Sequence, residues 1–165
     1  MKGRVLIAGI GNIFFGDDGF GCEVARRLTM DPPQDGVLVK DFGIAGMHLA
    51  YELVDGYDLA ILIDAIETAD PPGTLSVIEP QVGEAAGPAD AHSMDPRTVL
   101  AQVHAMDGAT GRYLLVGCRP ANTDEGIGLS PVVEAVVDDA VAQVRALIAA
   151  ELASPHQVAA AGVGP

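Results

Sequence analysis

Basic residues and aromatic residues are both scarce in this sequence. Its 165 residues include 9 lysines and arginines against 23 acidic residues, which gives a formal net charge of −14, and tryptophan is absent. A chain with so few cations has no basic patch to neutralise phosphates, so the composition argues against binding to nucleic acid or to an anionic membrane surface. The same acidic surface favours partners that carry basic segments.

Cysteine is also rare, and long apolar runs are missing. The two cysteines, Cys22 and Cys118, are far apart and have no metal-site spacing, so we expect two buried thiols in a reducing compartment. The apolar runs are shorter than a membrane span, and the N-terminal run lacks the cleavage-site pattern of a signal peptide. These features predict a cytoplasmic protein without a membrane segment. They give no indication of its oligomeric state.

The sequence does contain a regular alternation of strand-like and helix-like segments. Apolar runs such as 5–10 and 57–64 are typical of strands buried on both faces, and helical spacing follows most of them. This alternation predicts a single-domain α/β fold, a three-layer sandwich in which an open, mostly parallel twisted sheet has helices on both faces. We expect the domain to span residues 1–153, with a long last helix from Ser130 to about Leu152 and a disordered tail over 154–165.

The first strand, glycine turn and helix occupy Arg4 to Leu28 and invite comparison with a dinucleotide-binding site. That site needs a third glycine for close packing around a pyrophosphate, and this chain has Phe14 there. Asp17 and Asp18 would also repel a phosphate at the start of the helix. We therefore expect no binding of NAD, FAD or ATP. The two carboxylates either hold a cation or cap the helix, since aspartate is a preferred N-cap residue.

Acidic residues follow the ends of several predicted strands. In a parallel sheet these ends share one edge, where ligands bind. Asp17, Asp18, Asp41 and Asp64 should therefore gather there, and we expect the loop that carries His92 to reach the same edge. Carboxylates and an imidazole form a mixed oxygen and nitrogen site suited to nickel or zinc. Taken singly, Asp64 is equally well explained as a capping or turn residue, and His92 as a solvated loop histidine.

Several motifs in this order resemble those of the hydrogenase maturation endopeptidases, which trim the C-terminus of the nickel-iron hydrogenase large subunit. The resemblance extends over nearly the whole chain up to the last helix. It rests on G-I-G-N-x-x-x-x-D-D-G-x-G from Gly9, D-F-G-I-A-G-M from Asp41, L-I-D-A-I from Leu62, His92 before a helix, and V-G-C-R-P followed by G-I-G-L-S-P.

The resemblance implies a processing peptidase that acts on the large-subunit precursor after nickel insertion. It implies that Asp18, Asp64 and His92 contact the metal and perform catalysis, and that the nickel is recognised in the substrate, where zinc or another divalent metal could substitute. Such enzymes are classed as aspartic-type peptidases, yet a metal-activated water and carboxylate acid–base chemistry both remain open. No Ser or Cys is recognisably placed as a nucleophile. We assign Asp17 to helix-end electrostatics worth only about 0.3–1 kcal/mol.

The glycine-rich segment after the second strand is implied to contact the substrate. Family members commonly have a small hydroxyl residue where this chain has Ile44. The implied substrate loop comprises Asp41, Gly43, Ala45 and Gly46. Two other classes of protein fit the same architecture, namely a metal-dependent hydrolase of a small molecule and a non-catalytic metal-binding module.

Overall fold

Strands and helices alternate along the chain. The computed structural model describes residues 4–80, 96–106, 108 and 111–154, so the predicted loop with His92 and nearly all of the predicted tail lie outside the described residues. The strands are β1 (Val5–Ile10), β2 (Val37–Gly43), β3 (Leu59–Ala65), β4 (Leu75–Ile78) and β5 (Arg112–Cys118). The helices are α1 (Phe20–Leu28), α2 (Gly46–Val54), α3 (Pro96–Ala105), α4 (Pro131–Glu134) and α5 (Val137–Ala153), and a 3-10 turn spans Gly16–Gly19.

The five strands form one sheet in the order β2-β1-β3-β5-β4. Neighbouring strands are parallel except at the β4–β5 edge, which is antiparallel. This architecture confirms the predicted α/β fold with a mostly parallel sheet. From β1 the chain goes first to β2 on one side, whereas β3 pairs with β1 on the other side. The carboxyl ends of β1 and β3 therefore flank the switch point at which open α/β sheets bind ligands.

The sheet has a hydrophobic core on each face, because successive side chains of a strand point to opposite sides. In β1 all six residues are buried. Val5 and Ile7 pack with α1 and α5, whereas Leu6, Ala8 and Ile10 pack with α2 and α3. The predicted three layers are thus observed. Within the described ranges, none of the helices combines the length and the apolar character needed to cross a bilayer.

The C-terminal helical region is interrupted, so the predicted single helix from Ser130 to Leu152 is wrong. The chain leaves helical geometry between α4 and α5, at Val136, where φ is −107° and ψ is 0°. There the backbone N–H of Val136 donates to Val133 O, three residues back, at 3.1 Å. Val136 is β-branched and therefore has a low helix propensity, which favours an interruption at this residue. Val133 and Val137 are both buried in the core beside α1.

The first turn of α1 lies unusually close to the sheet. A Cβ atom on Gly21 would lie 2.0 Å from Ile63 O in β3 and 2.4 Å from Ile10 O in β1. A Cβ on Gly9 would lie 2.5 Å from Gly21 O. Only glycine permits such contact at these two positions. Gly21 therefore provides the close packing of helix and strand that the third glycine provides in a dinucleotide site.

Substitution of Gly21 by alanine tests this contact. Alanine favours a helix over glycine by roughly 1 kcal/mol, so propensity alone predicts a more stable protein. Because the added methyl group would meet strand backbone, we expect a net loss of about 1–3 kcal/mol in the free energy of unfolding, as for other overpacked cores. Urea denaturation followed by circular dichroism measures it. A Gly21→Ala protein as stable as the wild type would show that the close contact is not required.

Candidate functional site

Three carboxylates lie at the carboxyl edge of the central strands. Asp18 is in the 3-10 turn after β1, Asp41 is near the end of β2, and Asp64 is the penultimate residue of β3. Asp18 Oδ2 accepts a hydrogen bond of 2.8 Å from the backbone N–H of Asn12, so one carboxylate oxygen holds the turn. Asp64 is buried except for 9% of its surface, whereas Asp41 is exposed. The structure thus brings Asp18 and Asp64 to the switch point between β1 and β3.

The buried thiol of Cys22 lies within electrostatic reach of all three carboxylates. Its Sγ donates to Gly11 O at a distance of 3.4 Å. Burial raises the pKa of this thiol, and Asp41, then Asp64 and Asp18, raise it further. Burial, with a smaller effect from Asp17, also raises the pKa of Cys118 to about 11. Both thiols therefore stay protonated near neutral pH, which argues against a cysteine nucleophile because the thiolate is the reactive form.

The glycine-rich segment that connects the end of β2 to the start of α2 forms a short internally bonded turn. Gly43 adopts a φ of +55°, and its backbone N–H donates to Asp41 Oδ1 at 2.9 Å. The N–H groups of Ala45 and Gly46 donate to Phe42 O and Ile44 O. The turn is anchored to the β1 loop by a 3.0 Å bond from Gly11 N to Gly43 O. The predicted substrate loop thus lies beside Asp18, with Ile44 64% exposed at its tip.

Asp17 has a different role from the one assigned by sequence. It lies in the first turn of the 3-10 helix, but it is completely buried. Its Oδ2 accepts hydrogen bonds from Ala121 N (2.9 Å), Asn122 N (3.0 Å) and Ser130 Oγ (2.8 Å), and its Oδ1 accepts one from Ser130 N (2.7 Å). Burial alone would raise the pKa of Asp17, but these bonds hold it below its ordinary value. Asp17 therefore anchors the loop after β5, and the prediction that it contributes only helix-end electrostatics is wrong.

The loop after β5 joins the loop after β1 through backbone bonds as well. Gly16 N donates to Gly126 O at 2.8 Å, Gly126 N donates to Phe14 O at 2.7 Å, and Asp17 N donates to Asn122 O at 2.9 Å. Together with the Asp17 carboxylate, these bonds make residues 12–18 and 121–130 one structural unit. Sequence reasoning did not predict this unit. The sequence feature that could have indicated it is the presence of two motifs, D-D-G-x-G in the first loop and G-I-G-L-S-P in the second.

Arg119 is a second residue whose role sequence reasoning missed. It follows β5 directly, and its side chain reaches the segment after β3. Its Nε donates to Thr68 O at 2.9 Å, and its Nη1 lies 2.8 Å from a Glu67 carboxylate oxygen. Glu67 is exposed and forms an ion pair with Arg119. Arg119 therefore fixes the chain just beyond Asp64 and stabilises the same edge of the sheet.

The described carboxylates do not form a complete metal site by themselves. Among residues 4–80, 96–106, 108 and 111–154, no group of three or more His, Cys, Asp or Glu side chains is arranged to hold a metal ion. His92 lies outside these ranges. Asp18 and Asp64 supply oxygen ligands of a suitable type. A metal at this edge would therefore need further ligands from a residue such as His92 or from a bound partner.

The role of Asp17 gives a pH-dependent prediction. In Asp17→Asn the amide nitrogen must face backbone donors, so we expect a loss of about 1.5–3 kcal/mol at pH 7, the range for hydrogen bonds to charged groups. The folded pKa of Asp17 lies below its ordinary value of 3.8. The charged Asp17 carboxylate therefore stabilises the folded state fully when the pH is above the ordinary pKa of 3.8. This stabilisation is lost as the pH falls through the lower pKa of the folded state. Urea unfolding at pH 7 and pH 3 should show the difference from wild type shrinking at low pH.

Asp139→Asn is the matched control for this measurement, because Asp139 is also an aspartate in the first turn of a helix but is exposed. It should change the stability by no more than about 0.3–1 kcal/mol. If Asp17→Asn and Asp139→Asn lowered the free energy of unfolding by the same small amount, Asp17 would contribute only helix-end electrostatics, as the sequence predicted.

Comparison with known proteins identifies the family. The family model for hydrogenase maturation protease matches residues 22–147. The hydrogenase expression/formation protein HupD of Rhizobium leguminosarum is 30% identical over 165 residues, covering 94% of this chain and 81% of the relative. The chain is also 28% identical to Hydrogenase 2 maturation protease of Escherichia coli, over 88% of this chain and 90% of that protein.

A solved structure agrees with these sequence relationships. The hydrogenase maturating endopeptidase HybD from Escherichia coli superimposes with a TM-score of 0.76 at 28% identity, over 89% of this chain and 93% of that one. The fold, the sequence motifs and the family model therefore lead to one conclusion. The chain belongs to the hydrogenase maturation protease family, a family of peptidases.

Proposed function

We propose that this protein removes the C-terminal extension of a nickel-iron hydrogenase large-subunit precursor after nickel has been inserted. The observation that supports it most strongly is that Asp18 follows β1 and Asp64 ends β3, two paired strands whose carboxyl ends flank the switch point, in a chain of a peptidase family. An acidic, partly buried edge can contact a metal ion presented by a partner.

In this proposal the nickel belongs to the substrate. Asp18, Asp64 and His92 contact it together, and zinc or another divalent metal could replace it because carboxylate and imidazole ligands suit several such ions. Two carboxylates supply only part of a coordination shell, so the precursor provides the remaining ligands. A precursor without nickel then lacks this anchor. The protein would distinguish the two forms by the difference in their affinities.

Hydrolysis adds one water molecule across the scissile amide. The bond between carbon and nitrogen breaks, a base takes a proton from the attacking water, and the leaving amine gains a proton. In this proposal Asp18 and Asp64 are the carboxylates that take part, whereas burial and nearby carboxylates raise the pKa values of both thiols and so keep them protonated. The segment with Asp41, Gly43, Ala45 and Gly46 would lie beside the bound peptide. Since the N–H groups of Ala45 and Gly46 are already bonded within the turn, the exposed Ile44 side chain would provide its main contact.

Three substitutions test the proposed site. In Asp18→Asn the amide oxygen can still accept the bond from Asn12 N–H, so the turn should persist while the anionic ligand is lost. Asp64→Asn should likewise remove an anionic ligand, here at the end of β3, while the fold persists. His92→Ala removes the nitrogen ligand. We expect each to lower kcat/KM for nickel-loaded precursor by about 10²–10⁴-fold, as for other lost catalytic groups. The product is identified by its mass, and circular dichroism shows that each variant is folded.

Asp139→Asn, an exposed substitution on α5, is the control and should cut at the wild-type rate. Nickel-free precursor should stay uncut by every protein. If the three site variants all process the precursor normally, the metal-contacting set is wrong. If the wild-type protein leaves nickel-loaded precursor intact, a small-molecule hydrolase or a binding module becomes the better description.

A further inference from the structure

Large apolar side chains are exposed on the same edge of the sheet as Asp18. The apolar rim surface consists of Ile13, Phe14, Phe15 and Ile127, which are 49%, 57%, 43% and 79% exposed. The chain has only four phenylalanines, and this surface uses two of them, while Phe20 and Phe42 are buried in the core. Single exposed apolar residues are ordinary, but a contiguous group beside a functional site indicates an interaction surface.

The apolar rim surface lies on the two loops that hydrogen bonds join, residues 12–18 and 121–130. Phe14 N–H donates to Asn12 Oδ1 at 2.9 Å, and Phe14 O accepts a bond from Gly126 N–H. Phe15 and Gly126 form a parallel bridge, which puts Ile127 next to the 13–15 segment. The buried Asp17 carboxylate holds both loops. Since these backbone groups are already paired, a partner would bind here through side-chain contacts, and a preorganised surface reduces the entropy cost of binding.

The charges around the surface indicate what kind of partner it fits. Asp124 and Glu125 precede Ile127 in the same loop, and Asp18 and Asp41 lie on the adjacent part of the edge. The nearby cation Arg119 is paired with Glu67. A second copy of this chain would bring two molecules of net charge −14 together, and an anionic lipid surface would meet acidic side chains. An apolar segment with basic residues beside it is the complementary partner.

We propose that the apolar rim surface docks a segment of the hydrogenase precursor in which lysines or arginines flank apolar side chains. This inference rests on the proposed function and deepens it. The apolar side chains of the segment cover Phe14, Phe15 and Ile127, and its cations face Asp124 and Glu125. Binding there holds the precursor next to Asp18. The polypeptide segment of the precursor and its nickel are then both recognised on one edge of the sheet.

The test measures KM and kcat separately for cleavage of nickel-loaded precursor by the full-length protein. The double variant Phe14→Ser with Ile127→Ser should raise KM at least about tenfold, as truncation of an interface hot spot does, while kcat changes little. Asp124→Asn with Glu125→Gln should also raise KM and should weaken its dependence on salt concentration. Met30→Ser removes an apolar side chain that is 67% exposed after α1, outside this surface, and should leave KM unchanged.

The outcomes separate this inference from the proposed function. If the wild type cleaves the precursor and the double variant, shown to be folded, has the same KM, the docking surface is wrong while the proposed function stands. If the wild type neither binds nor cleaves the precursor, the proposed function fails and the docking inference fails with it. If sedimentation shows a wild-type dimer that the double variant loses, with KM unchanged, the surface binds a second copy and the docking inference is overturned.

Discussion

The whole site depends on the contact between the first turn of α1 and the backbones of β1 and β3. Gly21 lies so close to Ile63 O and Ile10 O that no larger residue fits. The helix therefore begins directly above the carboxyl ends of these strands, and the turn that precedes it is held at the switch point. Asp18, in that turn, and Asp64, near the end of β3, therefore lie at the same edge of the sheet. In this fold the glycines provide close packing, and acidic residues occupy the place where a nucleotide-binding fold would receive a phosphate.

The adjacent residues Asp17 and Asp18 have different roles. Asp17 points inward and accepts four hydrogen bonds from the loop after β5, so its charge stabilises the joined loops. Asp18 uses one oxygen to close its own turn and lies partly exposed at the edge of the sheet. The unit formed by the two loops carries both the candidate carboxylate and the apolar rim surface. A change in its packing would therefore disturb the apolar rim surface and the position of Asp18 together.

The fold was predictable from sequence because its signals are local. Doubly buried strands such as β1 and β3 appear as short apolar runs, and parallel strands place Asp18 and Asp64 at one edge. The roles of Asp17 and Asp18 were not predictable in the same way. Which of two neighbouring carboxylates turns inward depends on donors more than a hundred residues away, at Ala121, Asn122 and Ser130. The bonds of Arg119 are likewise long-range. His92 lies outside the described residues, so its place in the site stays a prediction.

We propose that the acidic edge contacts nickel held by the precursor. It is tested most directly by nickel X-ray absorption on precursor whose scissile bond has been made uncleavable, alone and in complex with this protein. We expect the nickel in the complex to have more oxygen and nitrogen neighbours than the nickel in free precursor. In the complex with Asp64→Asn protein, which should still bind the precursor, we expect one oxygen neighbour fewer than in the complex with the wild type. Identical nickel spectra for free precursor and for its complex with the wild-type protein would contradict it.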